Sequence, residues 1–112
     1  MVFTVIALAP SLADSERRIA IASGPTFVES PDDYAVLLDQ SGWCLQERTD
    51  LTAEFLQSMR TELEGMQGRA DALAKVLGSG EFTERTKHRQ ATIAAVDGGL
   101  LRRELFVARA GR

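Results

Sequence analysis

The residues able to do chemistry are few, and each has a structural explanation beside the chemical one. His88 is the only histidine in 112 residues, and imidazole is the side-chain type most often used as a general base. Lys87 and Arg89 flank it, and a lone histidine on a polar helix equally suits a surface position. Cys44, the only cysteine, stands beside Trp43 in a strand with no base near it, and reads as a small packing residue before it reads as a nucleophile. Asp32 and Asp33 pair two carboxylates, yet a helix start accounts for them through the positive end of the dipole. Gly78-Ser79-Gly80 has the spacing of a phosphate-cradling turn but follows a helical segment instead of a strand, which makes it an interhelical turn. Phe27, Tyr34 and Trp43 can line an apolar pocket or fill the core, and the Met59 and Met66 thioethers share that ambiguity.

Composition narrows the function classes. A net charge of -3 argues against a general nucleic-acid binder, whose affinity rests on neutralising phosphates. From Arg85 onward seven Arg or Lys face only Asp97 and Glu104, a basic end that reads as a solvated face or as an anion site. One cysteine leaves no intrachain disulfide, one histidine no Cys/His zinc site, and the pattern fits a reducing, cytoplasmic setting. The opening apolar run is too short to span a bilayer and lacks the flanks of a signal peptide, so no membrane partner is expected.

The elements that must position these groups follow from periodicity. Val2 to Leu8 is continuously apolar and β-rich, the pattern of a strand covered on both faces inside a wider sheet. Asp14 or Ser15 caps a short helix running to about Ser23, closed by Gly24-Pro25. Ser30-Pro31-Asp32-Asp33 starts a second helix with Tyr34, Leu37 and Leu38 on its apolar face and Gly42 as its stop. Trp43 to Asp50 predicts a second strand, with Trp43, Leu45, Glu47 and Thr49 on one face and Cys44, Gln46 and Arg48 on the other. Thr52 then caps a long helical stripe of Phe55, Met59, Leu63, Met66, Ala70, Leu73 and Leu77, weakened at Gly65 and Gly68, where a bend or break is expected. A polar helix from Phe82 to Asp97, ended by Gly98-Gly99, leads to a last strand from Leu100 to Ala110.

This order, with four stretches of sequence, resembles the C-terminal half of a class I S-adenosylmethionine-dependent methyltransferase. The stretches are Phe3-Thr4-Val5-Ile6 leading to Ala9-Pro10; Gly24-Pro25-Thr26-Phe27-Val28; Asp33-Tyr34 to Gly42-Trp43 with Asp50-Leu51-Thr52; and Gly99 to Arg109. The resemblance implies an α/β fold (α+β as an isolated piece), a partial Rossmann-like sheet of three strands in the order 1-3-2 with the last antiparallel. It implies a single domain over 1–112: strand-helix-helix-strand over 1–51, a helical insertion over 52–98 and a closing strand over 99–112. The family's cofactor is S-adenosylmethionine, held by a glycine-rich turn and a strand-end acid in the first half of the sheet. The resemblance matches no residue of this chain to those positions, so the chain alone is not expected to bind it. What it leaves here is a substrate wall, for which Phe27, Tyr34, Phe55, Arg85 and His88 are the expected residues.

Two functional expectations follow. The first is a methyltransferase-like protein acting on a small molecule, inactive as a lone monomer, its Val2–Leu8 edge covered by a second copy or by a partner supplying the missing half. The alternative is a non-catalytic dimerisation or regulatory module. A third and weaker reading is a small α+β enzyme using His88.

Overall fold

The computed structural model describes residues 1–25, 28–30 and 32–111. Three strands, β1 (Val2–Leu8), β2 (Trp43–Asp50) and β3 (Leu101–Ala110), form one sheet in the order β1-β3-β2. β3 runs antiparallel to both neighbours, so β1 and β2 are parallel to each other and do not touch. Five helices complete the chain: α1 (Asp14–Ser23), α2 (Tyr34–Gln40), α3 (Thr52–Gly68), α4 (Ala70–Leu77) and α5 (Ser79–Asp97). The expected mixed architecture, strand order and antiparallel closing strand are all present.

Side-chain alternation along β3 assigns the two layers. Leu101 packs beneath α1, α3 and α5 with Ala20, Val28, Met59, Ala95 and Val96, joined by Ile6, Leu8 and Phe55. Phe106 and Ala108 point to the opposite face, where α2 brings Leu38 and Tyr34 against Phe3, Val5 and Trp43. Phe106 is fully buried; its ring stacks on Phe3 at 5.4 Å between centroids and meets Tyr34 at 6.0 Å.

The structure corrects several local expectations. α2 begins at Tyr34, and its cap is Asp33, which accepts the Ala35 N–H at 3.2 Å; the Ser30 hydroxyl instead donates to the Asp32 carbonyl, so Ser30 caps nothing. Asp14 is the first residue of α1, not its cap, and Glu16 reaches back to the Ala13 N–H at 3.0 Å. Thr52 is likewise inside α3; Asp50 accepts its N–H at 2.9 Å and takes its hydroxyl as well. α5 starts three residues before Phe82, because the turn after α4 needs only Gly78, at φ +89°. The break expected near Gly65 and Gly68 falls at Arg69.

The largest correction concerns β2. A bulge between Leu45 and Glu47 shifts the register by one, so Arg48 lies opposite Phe106, and Glu47 and Thr49 lie opposite Val107 and Leu105. Arg48 therefore shares a face with Trp43, the reverse of strict alternation. β1 pairs with β3 along its whole length. Its other edge meets no strand among the described residues, and Val2 is 66% exposed.

Phe106 is the test of this arrangement. Phe106→Ala should cost about 3–5 kcal/mol in a urea unfolding series, since the ring is fully buried between β1 and α2. A loss below about 1 kcal/mol would mean that this layer is not packed as described.

Candidate functional site

In open α/β sheets ligands gather at the carboxyl ends of parallel strands. Here the carboxyl ends of β1 and β2 lie at one end of the sheet, and two concavities open there, one on each face.

The first, about 540 Å³, lies on the α2 face at the end of β1 and is lined by Pro10, Ser11, Arg17, Tyr34, Arg48 and Glu104 among others. Its centre is a charge cluster. The Arg48 guanidinium donates to both Glu104 oxygens, at 2.6 and 2.9 Å, and to both Asp33 oxygens, at 2.8 and 2.9 Å, while lying 5.1 Å from the Phe106 ring centre. Glu104 is 8% exposed, so this cluster compensates a carboxylate that would otherwise sit unpaired in the sheet. Its bonds to Glu104, then those to Asp33, hold the Arg48 proton more firmly, and Arg48 in turn holds Asp33 below the ordinary carboxylate range against a smaller opposing effect of burial. With its donors committed, Arg48 has a structural role: it ties β2 to β3 and both to the start of α2.

The second concavity, about 880 Å³, lies on the opposite face between the sheet and the three helices α3, α4 and α5. Phe55, Met59 and Met66 of α3 and Leu73 and Leu77 of α4 form an apolar wall, with Ile6 of β1 at the sheet end. α5 supplies Glu84, Arg85, His88, Arg89 and Thr92, and β3 supplies Arg103. An apolar cavity with a few converging polar groups is the usual form of a small-molecule site. Arg85 is paired with Glu81 at 2.8 Å and Arg89 with Glu62 at 3.0 Å, so those two cations are locally neutralised.

Three of the five residues expected from sequence, Phe55, Arg85 and His88, line this one cavity. Tyr34 lies on the opposite face of the sheet, in the polar cleft. Phe27 lies outside the described residues. Sequence reading missed Arg103, although its signal was present: a charged residue between Leu101 and Leu105 on the apolar face of β3. Cys44 is exposed on β2, and Gly78 lies between α4 and α5. Among the described residues no group of three or more His, Cys, Asp or Glu is placed to hold a metal ion, and no helix is long and apolar enough to cross a membrane.

No protein-family model matches the chain, and no curated protein matches it. Among solved structures it is similar to Haemonchus contortus phospholethanolamine N-methyltransferase 2, in complex with phosphomonomethylethanolamine and S-adenosylhomocysteine. The TM-score is 0.79 over 99% of this chain at 10% identity, which establishes a likeness of fold. The chain spans about a quarter of that structure's length, 26%. The fold is similar to that of a part of this methyltransferase structure.

Two measurements check the electrostatics. Arg48→Met leaves Glu104 without its partner and should cost about 1–3 kcal/mol, and adding Glu104→Met should recover most of the loss. Hydrogen bonds from Arg48 depress Asp33, and those from the Thr52 hydroxyl and N–H depress Asp50. Their stabilising contributions are thus complete above the unfolded carboxylate value of about 4 and are lost as pH falls through the lower folded values. Urea midpoints measured from pH 6 down to pH 2 should fall less steeply for Asp33→Asn than for the parent; parallel curves would remove this account.

Proposed function

We propose that this chain is the acceptor-binding, sheet-closing C-terminal half of a methyltransferase-like protein that uses S-adenosylmethionine to methylate a small molecule. The observation that carries the reading is the likeness of fold over nearly the whole chain, joined to an apolar cavity at the carboxyl ends of the parallel strands. In this reading residues 1–51 bring the strand-helix-helix-strand unit, 52–98 the helical insertion that walls the cavity, and 99–112 the closing strand. Phe55, Arg85 and His88 contact the acceptor.

The cofactor itself is assigned to another part of the assembly. A glycine-rich strand-to-helix turn is what brings backbone N–H groups close to such a ligand. The connection from β1 to α1, Ala9 to Ala13, and the one from β2 to α3, Leu51, contain no glycine. These residues do not fit the cofactor, and no methyl-transfer step is assigned to this chain alone.

The open edge of β1 supports a partner. Met1 and Ala108 exchange hydrogen bonds at 2.7 and 2.9 Å, which sets the alternation, so the N–H and C=O groups of Val2, Thr4, Ile6 and Leu8 point away from β3. β1 carries no charged side chain to discourage pairing. A second copy meeting this edge across a two-fold axis makes a continuous six-stranded sheet; a chain supplying further strands is the other occupant. The same edge supports the alternative function, a non-catalytic dimerisation or regulatory module, which differs in leaving the cavity without a ligand.

Three measurements decide between these. Calorimetry with S-adenosylmethionine should give no saturable heat with the purified chain, and a micromolar dissociation constant would overturn the assignment of the cofactor elsewhere. Light scattering at high micromolar concentration should give twice the chain mass, and a monomer would overturn the self-pairing edge. A set of small-molecule fragments followed by amide shifts should perturb Phe55, His88 and Arg103; shifts confined to the cleft around Tyr34, or none, would favour the non-catalytic module.

A further inference from the structure

The Arg103 side chain differs from every other cation around the helical cavity. Its guanidinium lies 4.8 Å from the centre of the Phe55 ring and donates a single hydrogen bond, to the Thr4 hydroxyl at 3.0 Å. No carboxylate among the described residues pairs with it, whereas Arg85 and Arg89 are both engaged. One of its five N–H donors is therefore used within the described protein. The residue is half-buried, and its backbone is anchored on both sides: its N–H donates to the Thr52 hydroxyl at 3.2 Å, and its carbonyl accepts the Leu51 N–H at 2.8 Å. A guanidinium held over an aromatic ring, with four of its five donors unspent within the described protein, is suited to binding two acceptor oxygens.

The rest of the cavity gives a ligand its direction. Arg103, Phe55 and Ile6 form the sheet end. Glu84, which has no ion-pair partner among the described residues, lies two helical turns further out along α5 than Thr92. An anion is thus favoured at the sheet end and repelled at the outer end, with the Met59 and Met66 thioethers between them.

We propose that this cavity takes a small apolar acid, its carboxylate or phosphate bound by Arg103 and its hydrocarbon body laid along Phe55, Met59 and Met66. The inference builds on the reading of this cavity as the acceptor site, but acid binding is measurable without cofactor or methyl transfer. Three probes of one shape distinguish the anion: 2-naphthoate, 2-naphthyl phosphate and the uncharged 2-naphthamide, titrated into the full chain and followed by amide shifts.

At least one of the two acids should bind tenfold or more tightly than the amide, and which one does so separates carboxylate from phosphate recognition. Arg103→Gln should bring the acid to within about twofold of the amide, Arg103→Lys should restore part of the preference, and Arg109→Gln should leave it unchanged. Equal binding of acid and amide by the parent chain, no binding of any probe, or an undiminished preference in Arg103→Gln would overturn the inference. The parent-chain comparison decides the matter even where a variant fails to fold. Acid preference without methylation of any acceptor in the complete assembly would sink the methyltransferase reading alone; fragments bound in the cavity without acid preference would sink this inference alone.

Discussion

The sheet exists because β3 runs between two strands that never meet. β1 and β2 are parallel to each other, and among the described residues each finds its strand partner only in β3. Both layers and both concavities beside the sheet inherit their position from those two registers. A one-residue slip of β3 would exchange its faces, sending Phe106 and Ala108 toward α3 and α5 and leaving α2 nothing apolar to cover. The register is therefore set by packing on both faces at once: Leu101 fits only beneath the three-helix layer, and Phe106 only beneath α2.

Glu104 makes this constraint costly to satisfy, since it places a carboxylate in the middle of the central strand. The bulge in β2 resolves it. By inserting one extra residue between Leu45 and Glu47, the strand turns Arg48 to the face where Glu104 and Phe106 lie, and a single guanidinium then serves two acids and one ring. Were β2 regular, Arg48 would face the three-helix layer and Glu104 would be left buried without a cation. The cluster fixes geometry more than it adds stability, because desolvation offsets much of the ion pairing. Its consequence is positional: Asp33 is at once a ligand of Arg48 and the cap of α2, so the helix is docked by the same contact that pins the strand.

Much of this was legible from residue pattern. The helical stripe from Phe55 to Leu77, the break after Gly68 and the stop at Gly42 follow from period and backbone freedom, whereas the strand order came from the family resemblance. The helix caps were misplaced by one to three residues because several side chains competed for the same N–H groups, and tertiary contacts chose between them: Arg48 fixes Asp33, and the ladder to Arg103 fixes Asp50 and Thr52. The bulge left no mark in the sequence, since Gln46 looks like any other polar residue of an edge strand. Phe55, Arg85 and His88 converge because the expected helical insertion folds back on itself, whereas Tyr34 was assigned to the same wall without a way to know which face α2 would cover.

The open edge and the cavity meet in β1, and this bears on how the two parts of the molecule would work together. Thr4 directs its backbone groups away from β3, while its hydroxyl accepts the only hydrogen bond that the Arg103 guanidinium donates within the described protein. Ile6 likewise directs its backbone outward and its side chain into the floor of the cavity. An unpaired strand edge opens locally at small cost, and in that opened state β1 no longer offers Arg103 its Thr4 partner. Pairing the edge with any strand would fix the backbone of Thr4 and Ile6 and with it the orientation of the guanidinium, so the entropy of ordering the cavity floor would be met by assembly instead of by the ligand. Edge pairing and cavity binding are on this argument coupled through two side chains, and each should strengthen the other.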